Sequence, residues 1–185
     1  MRLDGSRATA RSAYAAGVTE HDRAAVARQL GRRPRAFRRV AVRCPWGLPA
    51  VTEQWPVDDA GDPFPTTYYL TCRHLVAAVS RLEAAGGIER WSRAARDNPA
   101  LARDLRRATE RQREIRRALA LERTGSAEVP AVDSGIGGAA RPERLKCLHA
   151  HVAFALAQPG YELGRRILAE VDRRWPEGRC CSAAT

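Results

Sequence analysis

Apolar residues recur along this chain with two different periods, extended before about residue 72 and helical after it. The extended part is preceded by one helix. Thr19 offers an N-cap, Glu20 and Asp22 lie near the positive end, and Val26 and Leu30 stand four apart as a buried stripe. Gly31 and Pro34 end that helix. Phe37, Val40 and Val42 then form a strand-like run leading into Cys44, and a second extended segment covers about 50–55. The acidic, turn-forming stretch 56–65 joins it to a third, TTYYL at 66–70, rich in residues that suit a pleated sheet.

Beyond residue 72, Leu75, Val76, Val79 and Leu82 repeat at helical spacing up to Gly86-Gly87, a stop signal. Asn98 followed by Pro99 is a strong helix start. From there Leu101, Leu105, Ala108, Gln112, Ile115 and Leu119 alternate four and three apart to about Arg123, a narrow seam suited to an arm packed on a neighbour. Gln112 in that seam weakens a coiled-coil reading, while Glu110 and Glu114 interleave with Arg106, Arg113 and Arg117 on a solvated face. Residues 124–141 keep no period and read as a flexible loop; their GIGG follows no strand and precedes no lysine, so it is not a phosphate loop. Pro142 starts another helix to about Ala157, and Leu163, Ile167, Leu168 and Val171 mark a last amphipathic one.

The pattern predicts an α+β fold, mostly helical, with a small antiparallel sheet near residues 37–71 and a long amphipathic helix near 98–123. A single domain is expected over 19–181, between a disordered leader (1–18) and a tail (182–185), which suits a chain of 185 residues. No apolar run is long enough to span a bilayer, so no membrane partner is expected. The first twenty residues lack the apolar segment of a secretory signal, which points to a cytoplasmic, reducing setting where paired cysteines are disfavoured.

A net charge of +11 raises nucleic acid as a partner. The basic residues, however, are arginines with Lys146 as the one lysine, a bias typical of a GC-rich genome. The densest run, Arg32, Arg33, Arg35, Arg38, Arg39 and Arg43, has no acid within it. It reads either as a polyanion surface or, more simply, as the charged edge of a strand.

The cysteines and histidines carry the candidate chemistry. Cys44 lies in CPWG, just past a strand, and Cys72 in TCRH, where a Thr71 cap would put the thiol in the first helical turn beside His74. Cys147 sits in KCLHAH inside the predicted helix. There His151 shares its face, and His149 lies nearly opposite unless the helix begins later. Cys180 and Cys181 stand side by side just before the tail. This spacing is not that of a zinc ribbon, but scattered single ligands form metal sites once a fold gathers them. Buried thiols acting as small hydrophobes are the plainer alternative.

The strings RCPWGLPAV, DPFPTTYYLTC, SRLEAAGG and RLKCLHAHVAFALA resemble a family of actinobacterial proteins known as domain of unknown function 501, over about residues 19–181. The resemblance implies that Cys44, Cys72, Cys147, His149 and Cys180 hold recurring positions, and it favours His149 over His151. It departs at Arg73, where the family pattern has proline, and near Phe154, where a family histidine is missing and His151 stands in. It carries no activity and points only loosely to cell division.

Three functions follow as expectations. The leading one is a metal site, zinc or iron–sulfur, of structural or redox role, with Cys44, Cys72, Cys147, His149 and Cys180 as ligands. The second is a thiol-dependent enzyme using Cys72 or Cys147 with His149 or His74 as base. The third is an interaction module linked to cell division, binding a protein through helix 98–123 or, less favoured, nucleic acid through the arginine run.

Overall fold

A computed structural model describes residues 20–130, 132–141 and 143–181. The expected leader and tail, together with Thr19 and Pro142, lie outside the described residues. The elements run α1 (Glu20–Leu30), β1 (Phe37–Arg43), β2 (Pro49–Gln54), β3 (Tyr68–Leu70), α2 (Arg73–Ala84), α3 (Gly87–Asp97), α4 (Pro99–Thr124), α5 (Leu148–Ala157) and α6 (Glu162–Ala169). The fold is α+β and mostly helical, with a three-stranded antiparallel sheet in the order β1-β2-β3. Among the described residues no helix is long and apolar enough to cross a membrane.

The central strand β2 is buried along its whole length, and β1 forms one edge. That edge carries much of the arginine run, and tertiary structure supplies the acids the local sequence lacks. Glu53, 3% exposed, takes Arg38 and Arg39 at 2.6 Å each. Arg43 pairs with Asp22 at 2.7 Å, Arg35 with Asp58 and Arg33 with Asp59 at 3.3 Å each. Most of the run is thus held in internal ion pairs, which leaves less positive charge for a polyanion.

The Gly86-Gly87 pair is both a stop and a start. Gly86 takes a left-handed φ of 77° beyond α2, and Gly87 opens α3, a helix absent from the expectation although Ile88, Trp91 and Ala95 stand at helical spacing. A side chain at Gly87 would stand 2.5 Å from the Leu82 carbonyl oxygen, so the turn needs a residue without one. Asn98 caps α4 as its sequence implies, its Oδ1 accepting from the Ala100 N–H at 2.9 Å. The α4 seam is covered by this chain itself, because α4 packs on α3 and α6 and buries Leu101, Leu105, Ala108 and Leu119. Gln112, the polar intruder, is buried and donates to the Ser134 carbonyl. The stretch 125–141 has no helix or strand among its described residues, yet Val132, Ile136 and Ala139 are buried and a Gly135–Ala139 bridge closes it.

Helix α5 is the centre of the fold. It packs against β3, α6 and α2, and it buries Leu148, Ala150, His151, Val152, Ala153 and Phe154 on all sides, as a helix apolar all round must. Phe154 meets Tyr68 and Tyr161 edge-on, with ring centroids 5.6 and 5.7 Å apart. The start of α6 is capped from a distance, the Leu163 N–H donating to Asp104 Oδ2 at 2.8 Å.

Candidate functional site

Helix α5 begins at Leu148, later than the apolar pattern and Pro142 suggest. Cys147 is its N-cap residue, extended at φ −157°, and makes no side-chain capping bond. The cap comes instead from Glu83, near the end of α2, whose Oε1 accepts from the Leu148 N–H at 2.6 Å. This late start corrects the expected placement of Cys147 inside a helix. With Cys147 in extended backbone, His149 in the first turn folds back toward it, and Cys147 Sγ lies 3.6 Å from His149 Nδ1.

His151 is turned the other way, into the core. It is 1% exposed, its Nδ1 lies 2.6 Å from the Tyr161 hydroxyl, and burial drives its pKa down to about 3. It is a neutral core histidine and not a partner of Cys147.

Glu83 Oε1 also reaches His149 Nδ1, at 3.2 Å. The thiol and the carboxylate therefore converge on one ring nitrogen. The other, Nε2, lies 3.1 Å from the Val76 carbonyl oxygen and 3.2 Å from Ser80 Oγ. A carbonyl only accepts, so Nε2 carries the proton, and Nδ1 must bear a second proton or a cation to face a carboxylate. The surroundings of the ring favour the same charged form. Burial pulls the His149 pKa down, but the Cys147 thiol, the Glu83 charge and the Val76 carbonyl outweigh it and raise the value to about 9. The site is built to hold positive charge at Nδ1. Among the described residues, Glu83, Cys147 and His149 form the one group whose ligand atoms all lie within 4.8 Å of one another.

A cavity of about 490 Å³ opens beside this group, and its wall includes Cys147, His149, Ser80, Tyr69, Thr71 and Arg73. It is the size of a small-molecule site. The group has both a charge centre and access.

The remaining cysteines gather elsewhere. Cys44 follows β1 in a tight turn, where Gly47 at φ 79° lets the Cys44 N–H bond the Leu48 carbonyl at 2.9 Å. Its sulfur touches Cys180 Sγ at 3.8 Å. Cys72 is the N-cap residue of α2, 2% exposed, with its sulfur 3.6 Å from Cys181 Sγ. Burial pushes the Cys72 thiol up to about 12, against the weaker pull of the backbone N–H groups of Leu75 and His74, with Cys181 adding to the rise. A Cys72 nucleophile activated by the helix end is therefore not what this environment makes. The His74 ring is engaged by the main chain instead, its Nε2 donating to the Arg173 carbonyl at 2.7 Å. The expected ligands thus fall into three groups: Cys44 with Cys180, Cys72 with Cys181, and Cys147 with His149.

Sequence reasoning passed over Glu83, though it lies in the string SRLEAAGG. A signal was available. An acid in the last turn of a helix opposes the helix dipole, so its placement there calls for a partner elsewhere.

A family model described as a protein of unknown function (DUF501) matches residues 40–169. No curated protein and no solved structure matches the chain.

Proposed function

The chain belongs to the DUF501 family, whose description names no activity, and from its site we propose that it is a metalloprotein holding one zinc ion on Cys147, His149 and Glu83. One observation carries this reading: the thiol and the carboxylate approach the same nitrogen, while a main-chain carbonyl holds the opposite one. A ligating histidine is commonly oriented in that way, its second N–H given to a carbonyl or carboxylate. A base-activated thiol has its supporting acid on the nitrogen facing away from sulfur. Zinc bonds of about 2.0–2.3 Å in a tetrahedron separate ligand atoms by roughly 3.3–3.8 Å. The Glu83–His149 and Cys147–His149 separations of 3.2 and 3.6 Å fall close to that range.

Three protein ligands leave a fourth position for water or substrate, the ligand count of catalytic rather than structural zinc. Cys147 and His149 both face the cavity, which supports supply of that position from it. Zinc there would polarise a carbonyl or lower the pKa of a water, chemistry suited to hydrolysis of a small substrate in a reducing, cytoplasmic setting.

The test is metal analysis of the full chain after dialysis against low micromolar zinc. One zinc equivalent lost in Cys147→Ser and in His149→Ala, with the remainder of the metal retained, is the expected result. Zinc content unmoved by both substitutions refutes the proposal.

A second reading, a Cys147 thiol enzyme, is favoured by the position of Cys147 at the start of α5 beside a raised histidine. Alkylation separates the two. Zinc that protects Cys147 from iodoacetamide supports the metal site. Rapid labelling of Cys147 alone, indifferent to zinc, supports the enzyme.

A further inference from the structure

The vicinal cysteines end a segment that holds its place without regular structure. Residues 170–181 contain no helix or strand, and yet Cys180 is 4% exposed within the main core cluster. What receives it is the end of the sheet. Cys44 directly follows β1 and Cys72 lies two residues past β3, flanking the start of β2, since Arg43 pairs with Pro49 and the Thr71 and Cys72 N–H groups both donate to the Ala50 carbonyl. Cys180 contacts Cys44 and Cys181 contacts Cys72, so adjacent residues link the two sulfur pairs at one place.

We propose that Cys44, Cys72, Cys180 and Cys181 form a second, tetrathiolate metal centre that fastens the segment 170–181 to the sheet end. Sulfurs around one metal at about 2.3 Å stand roughly 3.8 Å apart along each tetrahedral edge. The two observed pairs are 3.8 and 3.6 Å apart, while none of the five cysteines is in a disulfide. No three of these sulfurs lie within 4.8 Å of one another among the described residues. A two-iron, two-sulfide cluster takes one sulfur pair on each iron and so suits two close pairs set further apart, whereas a single zinc ion needs the pairs to close together. Both need the same thing of the protein, four thiolates that shed their protons on binding.

This centre shares no ligand with the Cys147 site, so the two succeed or fail separately. The experiment uses the full chain, produced and purified without oxygen in medium supplied with both zinc and iron. Metal, acid-labile sulfide and intact mass are measured for the wild type, Cys44→Ser, Cys180→Ser/Cys181→Ser and Cys147→Ser. The expected result is a fraction that Cys147→Ser leaves untouched and the other two variants lose. One zinc identifies a mononuclear site; two irons with two sulfides and a visible band near ~400 nm identify a cluster. The segment 170–181 should also resist protease in loaded protein and be cut after chelation. Wild-type protein with two disulfides and no such metal fraction overturns the proposal, and it can be read without any variant having to fold. So does metal that survives both Cys44→Ser and the double substitution.

Discussion

Glu83 gives the sharpest test because one oxygen has two duties, and two substitutions separate them. Its Oε1 accepts the Leu148 N–H at 2.6 Å and meets His149 Nδ1 at 3.2 Å. Glu83→Gln keeps a carbonyl oxygen for the N–H and removes the charge. Glu83→Ala removes both. The loss of a helix cap costs about 1–2 kcal/mol, and a charged acceptor sits toward the upper end. Glu83→Ala should therefore cost about 2 kcal/mol, which in a chain of this size lowers Tm by roughly 4–8 °C. Glu83→Gln should cost less than about 1 kcal/mol, since the neutral acceptor retains most of the capping bond. Urea denaturation in chelator reads the cap without the metal. Zinc titration of the folded variants reads the ligand, where Glu83→Gln should weaken binding by at least ~10–100-fold, the loss typical even of residues that only support a ligand. Equal damage by Gln and Ala would refute the cap. Zinc binding as tight in Glu83→Gln as in the wild type would refute the ligand.

Asp104, 5% exposed, caps α6 through the Leu163 N–H, so Asp104→Ala should cost about 1–3 kcal/mol and Asp104→Asn distinctly less. Equal urea midpoints for the two variants would deny the cap. Burial raises the pKa of Glu53, but Arg39 and Arg38 more than reverse this and hold it below its ordinary 4.5. The folded carboxyl therefore gives up its proton more readily than the unfolded one. Its contribution is complete above about pH 4.5 and disappears as pH falls through the lower folded value. Wild type should accordingly lose more stability than Glu53→Gln between pH 7 and pH 3, and parallel urea profiles would contradict this. At Gly164 a new Cβ would meet Tyr161 Cδ1 at 2.6 Å and both Ala155 Cβ and the His151 oxygen at 2.7 Å. Gly164→Ala should thus lose about 1–3 kcal/mol through overpacking of α5 against α6, and an unchanged Tm would show that this crossing can open.

Local signals made much of the fold legible. Val26 and Leu30, the Asn98-Pro99 start, the strand-like 37–42 and the apolar period of α6 each depend on neighbours within a few residues, and period and capping act at that range. The cysteines and His149 were legible as chemistry, because few other side chains bind metals or attack carbon. Two elements were not anticipated, for different reasons. The sequence of α3, GIERWSRAARD, carries a helical stripe in Ile88, Trp91 and Ala95 that packs on the core, so this helix was legible in its own residues and was passed over. The start of α5 depends on a carboxylate 65 residues earlier in the chain. No window around Cys147 contains Glu83, so the face shared by Cys147 and His149 could not be placed.

Composition and spacing were thus sufficient for which groups this protein has and for most of its helices and strands, since those rest on short-range sterics and periodic burial. Which groups meet was a matter of chain reversal: Glu83 with His149, Cys44 with Cys180, and Glu53 under Arg38 and Arg39. Charge and coordination act between atoms a few ångströms apart whatever their separation along the chain, and such proximity exists only once the helices have packed.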